Sequence, residues 1–562
     1  MLYMSLLYNY VNTISNPNIN IVKMLCNDNS INSIKNMANP LIAYIRKNKI
    51  CKYNIIKLLS DNSSIQYVDS YGNNPLMVYL IKCVNYDIDI IKLLGNNDNI
   101  NYINQSYSPL SVYITYNENI DINIMKFLIT GITINNIDIH GNNPLMIYLD
   151  THRGKIDIDV VKLLCCEESI NKINEDYETP LSLFIKHNYT INIDDNVYKI
   201  IKLLSTNLTI NYMDDVVKPP LILYLLECKY IDNINIDILK LLITNKTINI
   251  YNNYNPLHLY LNRLYNDNID IIKLLIYDDM VINYNNATGW NALMIYMYNS
   301  HIKSEDIIKL LATDISITAH NMYSWTPLMI YIKYEKYDKI NKNIVKVLYA
   351  DNIINNVNDK NTNALIMYCH SSKTYDIDII KMLSNDHTIS QYDLNMCNAL
   401  HYYMVNINRS FDDDVNIIPI LANNISINKI NNQGNIAVYY YIKNTKEISS
   451  DIIKILVNNV NINFINDEGD TILLHYLRCD RKYRIDIIRY LITDITLNYY
   501  NKNKFNPLML YVKYCNNPDI NIIKLLANKF TINTYTLNGL NAYGLYTRKP
   551  IINRDIISLL IK

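Results

Sequence analysis

Side chains that could perform catalysis or bind a metal are present in this chain, but they are not clustered. The ten histidines are dispersed, and no stretch resembles H-E-x-x-H, a phosphate-binding loop or G-x-S-x-G. The adjacent Cys165 and Cys166 have no histidine or second thiol pair nearby, so the ligand spacing of a zinc site is missing. The acidic run Asp412-Asp413-Asp414 could attract cations, although a solvated loop explains it better. We therefore predict no catalytic, cofactor-binding or metal-binding residue and no small-molecule substrate.

A second pattern with chemical potential is a column of lysines at one position of a recurring I-I-K-L-L run. Its thirteen members are Lys23, Lys57, Lys92, Lys126, Lys162, Lys202, Lys240, Lys273, Lys309, Lys346, Lys381, Lys454 and Lys524. Aligned lysines can follow a phosphate backbone, so a nucleic-acid or phosphate-surface binder is the alternative functional hypothesis. Aspartates open the same runs, and the chain balances 52 basic against 52 acidic residues. A solvated helix face is therefore the favoured interpretation, and we do not expect nucleic acid as a partner.

The lysine runs belong to a repeat that extends along the chain. One clear copy reads G-N-N-P-L-M-V-Y-L at residues 72–80, followed by D-I-I-K-L-L at 89–94. The second residue of each N-P-L or N-A-L triplet marks a copy. The markers are Leu6, Pro40, Pro75, Pro109, Pro144, Pro180, Pro220, Pro256, Ala292, Pro327, Ala364, Ala399, Ala437, Ile472, Pro507 and Ala542. From Pro40 onward they lie 34 to 40 residues apart, a period typical of a solenoid whose units must stack to bury apolar surface.

Each copy is predicted to contain two short helices. The first opens with Asn, Thr or Ser before Pro, as at Thr179-Pro180, which supplies a capping oxygen and a residue suited to the first turn. The second is predicted to be capped by the acidic residue before the I-I-K-L-L run, as at Asp237, Asp270, Asp378, Asp451 and Asp486. Six of the ten glycines lie three residues before a marker and predict a turn with positive φ. Because no Pro-, Gly- or Ser-rich linker interrupts the period, we predict one continuous array over residues 1–562.

Tyrosine forms another column, in the middle of the first helix. Its members are Tyr10, Tyr44, Tyr79, Tyr113, Tyr148, Tyr224, Tyr260, Tyr296, Tyr331, Tyr368, Tyr403, Tyr441, Tyr476, Tyr511 and Tyr546, and Phe184 occupies the remaining position. Exposed tyrosines can form a binding stripe. The phase of the column instead favours rings packed between neighbouring first helices, each with a hydroxyl that needs a partner.

The repeat resembles the ankyrin repeat, which has a glycine turn, T-P-L-H at the first helix, I-V-x-L-L in the second and V-N after it. The corresponding stretches here are P-L-H at 256–258, A-L-H at 399–401, I-V-K-M-L at 21–25 and I-N at 134–135. The resemblance covers essentially the whole chain and implies an all-α solenoid of about 16 helix-turn-helix units of about 35 residues. The long units with Tyr in the first helix look like those of poxviruses and other large DNA viruses.

The resemblance implies a non-enzymatic protein–protein interaction scaffold, which in viral members captures host proteins. It also implies structural roles for His258 and His401, because the family's histidine at this phase orders a turn. Viral members often recruit a ubiquitin ligase through an F-box-like C-terminal segment. Residues 542–562 still read as a repeat here, so we do not expect direct recruitment of that ligase.

Composition limits the cellular setting. The ten cysteines show no C-x-x-C pair or disulfide framework, which favours free thiols in a reducing compartment. The apolar start lacks a basic leader and a small-residue cleavage site, and no apolar run approaches the roughly 20 residues that span a bilayer. We expect a monomer in the cytoplasm, which would be the host cytoplasm for a viral protein.

Residues that the repeat does not fix are the predicted partner contacts. They lie at the turn tips before each marker: Tyr71, Asn73, Tyr107, His140, Asn142, Tyr177, Thr288, Trp290, Tyr323 and Trp325. The two tryptophans occupy adjacent tips and are the predicted hot spot. A rival hypothesis places an enzyme site in a loop between the two helices, at 187–197 or 227–235. Neither loop shows a paired acid and base with a nucleophile.

Overall fold

A computed structural model describes residues 4–187, 195–214, 217–228, 234–248, 254–263, 267–335, 340–479 and 482–561. The chain divides into two compact units. The N-terminal unit contains residues 1–263 and 270–277, and the C-terminal unit contains residues 264–269 and 278–562. The continuous array from 1 to 562 stays a prediction, because it concerns how the two units are joined.

Both units are built from the predicted pairs of helices. The first helices of the N-terminal unit are Met4–Thr13, Pro40–Lys47, Pro75–Lys82, Pro109–Tyr116, Pro144–Thr151, Pro180–His187, Pro220–Glu227 and Pro256–Leu261. The second helices of this unit are Ile19–Leu25, Tyr53–Leu59, Ile88–Leu94, Ile122–Leu128, Ile158–Leu164, Asp195–Leu204, Ile236–Leu242 and Ile269–Leu275. The first helices of the C-terminal unit are Ala292–Asn299, Pro327–Tyr334, Ala364–Ser371, Ala399–Val405, Ala437–Asn444, Ile472–Arg478, Pro507–Tyr514 and Ala542–Tyr546. The second helices of this unit are Glu305–Leu311, Lys342–Leu348, Ile377–Leu383, Phe411–Leu421, Ser450–Leu456, Ile485–Leu491, Ile520–Leu526 and Arg554–Leu560. Apart from two isolated β-bridges, the regular elements of the described residues are all helical.

Within each unit the helices stack in chain order. The first helix Pro75–Lys82 packs on the first helices before and after it, Pro40–Lys47 and Pro109–Tyr116. The second helix Ile88–Leu94 packs in the same way on its two second-helix neighbours. Each repeat therefore contributes one layer, and the predicted all-α helical-repeat solenoid is confirmed.

The prediction of two helices per repeat is incomplete, because most repeats add a short third helix. The third helices are Asp28–Ile31, Asn62–Ile65, Asn97–Ile100, Glu167–Ile170, Asn207–Asn211, Asp279–Asn283, Asp314–Thr318, Asp386–Ser390, Asp494–Leu497 and Lys529–Asn533, with a 3-10 turn at Thr133–Asn135. In one repeat the Asp61 carboxylate accepts the backbone N–H of Ser64 at 2.6 Å, and the Ser64 hydroxyl accepts the N–H of Asp61 at 2.8 Å. This capping box starts the third helix. The same hydroxyl donates to the carbonyl of Leu59 at 2.9 Å, so it also ties the third helix to the end of the second.

The amide of the cap residue explains why asparagine usually precedes the first helix. Asn39 Oδ1 accepts the N–H of Ile42 at 2.9 Å, and its Nδ2 donates to the carbonyl of Ser64 at 2.8 Å. One side chain therefore caps the first helix and holds the third helix of the same repeat. The same pair of bonds recurs at Asn74, Asn143, Asn291, Asn363, Asn398 and Asn506.

The predicted caps of the second helices are wrong by two residues. Asp237 and Asp378 lie at the second helical position, and the cap oxygens come from Asn235 and Asp376. Asp270, Asp451 and Asp486 likewise lie inside their helices. A carboxylate in the first turn still complements the helix dipole, but its backbone N–H is the group that the true cap residue binds.

The tyrosine column is buried, as predicted. Tyr79 and Tyr113 are fully buried, and each hydroxyl oxygen accepts a backbone N–H from the cap residue of the second helix in its own repeat. The partner of Tyr79 is eight residues away at Asp87, whereas that of Tyr331 is ten residues away at Asn341. A buried phenol thus fixes the start of the second helix across a loop whose length varies. Tyr10 in the first helix of the chain is only half-buried.

The turn before the first helix has the predicted positive φ in most repeats. Gly72 has φ +78 and Gly289 has φ +79. Six repeats place a residue other than glycine at this phase, with φ between 54 and 61: Met37, Tyr177, Ser324, Asn361, Met396 and Lys504. The positive φ therefore does not depend on glycine, which is only its least strained solution.

Candidate functional site

Asparagine side chains hold the two turn tips that carry the tryptophans. Asn321 Oδ1 accepts the backbone N–H groups of Tyr323 and Trp325, both at 3.0 Å. Asn286 Oδ1 accepts the N–H of Trp290 at the same distance. Each tip is therefore a fixed turn on which a variable side chain is presented.

Backbone hydrogen bonds connect successive tips. The N–H of Met322 donates to the carbonyl of Thr288 at 3.0 Å, and the N–H of Asp359 donates to the carbonyl of Tyr323 at 3.0 Å. Further along, the N–H of Asn432 donates to the carbonyl of Asn395 at 3.0 Å. Because these bonds fix the spacing of the tips, side chains from neighbouring repeats have a defined relation to each other.

The two tryptophans predicted as a hot spot belong to one aromatic cluster. Trp290 makes an edge contact with Tyr298 at a centroid distance of 5.4 Å, and Tyr298 makes another with Tyr334 at 4.8 Å. The ring of Trp325 lies 6.2 Å from Tyr334. We call Trp290, Tyr298, Tyr334 and Trp325 the aromatic cluster. The tips supply its tryptophans, and the ends of two first helices supply its tyrosines.

The aromatic cluster is accessible from solvent. Tyr298 is 49% exposed and Tyr334 is 39% exposed, whereas both tryptophans are half-buried. The indole N–H of Trp325 donates to Asp359 Oδ1 at 3.1 Å, which orients the ring. Tyr323 stands beside the cluster and is 51% exposed. Partly buried, mutually supported aromatic rings can bury apolar area on a partner with little loss of side-chain entropy.

A groove begins at Trp325. Its first depression, of about 340 Å³, is lined by Trp325, Lys333, Lys360, His370, Asp393 and Tyr402 among others. A second depression, of about 420 Å³, is lined by His370, Asn395, Tyr402, Gln433 and Tyr440 among others. The two depressions share His370, Asn395 and Tyr402, so together they form one groove, which we call the 325–440 groove.

The floor of the groove is held by a buried carboxylate. Asp393 Oδ1 accepts the backbone N–H groups of Asn395 and Cys397 at 2.9 Å, and its Oδ2 accepts the hydroxyl of Tyr402 at 2.5 Å. The Tyr402 ring lies 4.4 Å from that of His370. Burial lowers the pKa of His370, and the charge of Lys333 lowers it further. His370 is therefore a neutral aromatic surface at neutral pH.

The candidate residues of the N-terminal unit occupy equivalent turns. Tyr71 is 75% exposed, and the Arg46 guanidinium lies 5.7 Å from its ring centroid. His140 and Tyr177 are also exposed. Tyr107 is half-buried, and its pKa is raised by burial and by the charge of Asp138.

Two of the predicted contacts in that unit already have partners within the fold. Asn73 Oδ1 accepts Nδ2 of Asn104 at 2.8 Å, and Asn142 Oδ1 accepts Nδ2 of Asn174 at 3.0 Å. Their amides therefore connect neighbouring tips. A partner-binding role for these tip residues stays a prediction.

No protein-family model matches this chain. The search of curated proteins also found no match. The resemblance to ankyrin repeats therefore rests on the sequence motifs of the chain alone.

The lysine column lies on an exposed face and is partly neutralised there. Lys162 pairs with Asp159 at 2.8 Å and Lys454 pairs with Asp451 at 3.2 Å, each three residues back on the same helix. Lys309 pairs with Glu305 at 2.7 Å. Exposed pairs of this kind add little stability, but they reduce the positive field that a nucleic-acid backbone would need.

One group of potential metal ligands is already engaged with an arginine. The ligand atoms of Glu468, Asp470 and His475 lie within 4.8 Å of one another. The Arg478 guanidinium contacts both carboxylates, with a distance of 3.0 Å between its Nη1 and Asp470 Oδ2. Burial lowers the pKa of His475 to about 4. The arginine supplies the positive charge that the two carboxylates require.

The prediction of a solvated loop at Asp412-Asp413-Asp414 is wrong, because these residues form the first turn of the helix Phe411–Leu421 and Asp414 is buried. Asp414 belongs to a buried charge cluster that replaces the usual tyrosine contact in this repeat. The Tyr403 hydroxyl donates to Asp414 Oδ1 at 3.0 Å, and Arg409 Nε donates to the same oxygen at 2.8 Å. Arg409 also donates to the carbonyls of Met404 and Asn406 and to the hydroxyl of Thr445. These contacts satisfy the guanidinium and give it a structural role beside a depression of about 330 Å³.

The loops of the rival enzyme hypothesis are only partly visible. Residues 188–194 and 229–233 lie outside the described residues, so the hypothesis of an enzyme site in these loops stays a hypothesis. Elsewhere in the described chain, no helix combines the length and the apolar character needed to cross a membrane.

Proposed function

We propose that the chain is a non-enzymatic scaffold that binds another protein through the aromatic cluster and the adjoining 325–440 groove. The observation that carries the proposal is the contact chain from Trp290 through Tyr298 and Tyr334 to Trp325. Four rings from two repeats form one accessible surface, and aromatic anchors supply much of the binding energy at protein interfaces.

The ankyrin resemblance supports the same function, because the family uses its first-helix face and turn tips for protein partners. Similarity to the long viral repeats extends the proposal to capture of a host protein in the host cytoplasm. A nucleic-acid binder is the weaker candidate, since acidic neighbours pair with lysines of the column.

Affinity capture with the full chain, followed by binding measurements with the purified partner, tests the proposal. The double substitution Trp290→Ala and Trp325→Ala should weaken binding by about 30-fold or more, as expected for hot-spot residues. Tyr535→Ala is a matched control, because Tyr535 is 55% exposed on the same unit and lies outside the aromatic cluster. Thermal unfolding should change little in either variant. A set of captured proteins that does not change when both tryptophans are removed would contradict the proposal.

A further inference from the structure

The charges that line the 325–440 groove are unevenly distributed. Lys333 and Lys360 line the depression next to Trp325, both are exposed, and neither forms an ion pair with a described residue. The second depression is lined by amides, aromatic rings and Val405, with no lysine, arginine or carboxylate. The groove thus has one cationic end and one neutral end.

The two carboxylates near the cationic end are already bound. Asp393 accepts two backbone N–H groups and the Tyr402 hydroxyl. Asp359 accepts the indole N–H of Trp325. These carboxylates are held by neutral donors, and neither forms an ion pair with Lys333 or Lys360, so the two exposed ammonium groups can bind a partner's anionic group.

The neutral end can receive an extended chain. The Tyr440 hydroxyl donates to Gln433 Oε1 at 2.6 Å and accepts Nδ2 of Asn431 at 2.9 Å, so the amides and the ring form a connected wall. Backbone groups of a peptide can bond to amides of this kind, and its side chains can pack on the rings of Tyr402 and Tyr440.

We propose that the 325–440 groove binds an extended peptide segment of a partner protein, with an aspartate or glutamate side chain between Lys333 and Lys360. The inference rests on the proposed scaffold function and names the chemistry of its partner. A peptide fits better than a nucleic acid, because one carboxylate can lie between the two lysines, whereas the further phosphates of a strand would find no lysine or arginine lining the second depression.

Selection of random dodecapeptides displayed on phage, with the full chain as bait, tests this inference. The enriched peptides should share an acidic residue. A fluorescein-labelled copy of the most enriched peptide should bind the double variant Lys333→Glu and Lys360→Glu about tenfold more weakly or worse. A peptide with lysine in place of its acidic residue should recover affinity on that variant. Lys454→Glu with Lys524→Glu is the control, because those lysines belong to second helices of the same unit.

Several outcomes would overturn the inference. Enriched peptides without a shared acidic residue would do so, as would binding that ignores the charge reversal. Displacement of the peptide by oligouridylate would assign the groove to nucleic acid instead. If the charge-reversed chain does not fold, Lys333→Gln with Lys360→Gln provides the same comparison. A partner that is lost with the tryptophans but unaffected by the lysines would leave the scaffold function standing and reject only the acidic peptide.

Discussion

The hydroxyl oxygen of Tyr79 accepts a hydrogen bond from the backbone N–H of Asp87 at 2.9 Å. This bond spans the loop between two helices, and its equivalents recur in both units, as at Tyr148 and Tyr511. The phenol therefore has two roles. Its ring fills the space between neighbouring first helices, and its oxygen satisfies an N–H group at the start of the second helix.

Removing that oxygen should destabilise the N-terminal unit. We expect Tyr79→Phe to lower the free energy of unfolding by about 1–2 kcal/mol, because a part-buried N–H loses its acceptor while the ring stays in place. Urea unfolding followed by circular dichroism measures the change. Tyr10→Phe is the control, since Tyr10 is half-buried and its bond to Asn18 is exposed. An equal loss of unfolding free energy in the two variants would show that the buried bond stabilises the fold no more than the exposed one.

The hydroxyl that starts the third helix should matter in the same way. Thr496 Oγ1 accepts the N–H of Thr493 and donates to the carbonyl of Leu491, both at 2.8 Å. Thr496→Val keeps the shape and removes these bonds, so we expect a loss of about 2 kcal/mol in unfolding free energy. Thr318→Val should cost far less, because Thr318 is only half-buried and its hydroxyl makes solvent-exposed bonds to carbonyls of its own helix. Denaturant unfolding compares the two, and similar losses would contradict the capping role.

Alanine substitutions at two glycines can distinguish the cost of backbone strain from the cost of steric contact. Gly289 and Gly539 both have positive φ, but a Cβ at Gly289 would lie 2.9 Å from Cα of Asn321, whereas nothing lies within 4 Å at Gly539. We expect Gly539→Ala to cost about 1 kcal/mol from φ alone, and Gly289→Ala to cost clearly more. Thermal unfolding of the two variants decides the point. A smaller loss of stability for Gly289→Ala than for Gly539→Ala would mean that the neighbouring turn tip moves aside without cost.

Buried histidines should make the chain acid-sensitive. Burial lowers the pKa of His401 to about 4, below the usual value of about 6.5 in an unfolded chain. Between these two values the unfolded state binds the proton more readily. The stability of the fold is therefore intact above about pH 6.5 and falls as the pH drops toward 4, by about 3 kcal/mol for one such residue.

His401→Met tests this sign, because Met77, Met146 and Met329 occupy the same phase in other repeats. The difference in unfolding free energy between pH 7 and pH 5 should become smaller in the variant. His258 and His475, with pKa values also lowered to about 4, keep part of the acid sensitivity. An unchanged pH dependence would assign no part of it to His401.

The sequence predicted those features that depend on one residue type at a fixed position of the repeat. The period, the Asn-Pro start of the first helix, the positive φ at Gly72 and the burial of the tyrosines all follow from such columns. The third helix was missed because a single turn is too short to show helical periodicity. Its signal was the polar cap followed three residues later by Ser or Thr, as in Thr206 to Thr209.

The candidate site was predicted only at the tips. Trp290 and Trp325 were predicted because they occupy adjacent turn tips, where an indole can act as an anchor. Tyr298, Lys333 and His370 were not, because they share the seventh position of their first helices, where the residue type changes from repeat to repeat. Stacking brings such residues together, and no local pattern records it.

The tyrosine bond also determines which parts of a repeat can diverge. Its acceptor is a specific side chain, but its donor is a backbone group, supplied by Lys52, Ser304 or Arg484 as readily as by Asp87. Mutation of the donor residue therefore leaves the bond intact, and loops of different length can deliver the same N–H. Repeats of this chain can therefore differ in the length of the loop and in the residue at its end and still begin the second helix against the same phenol.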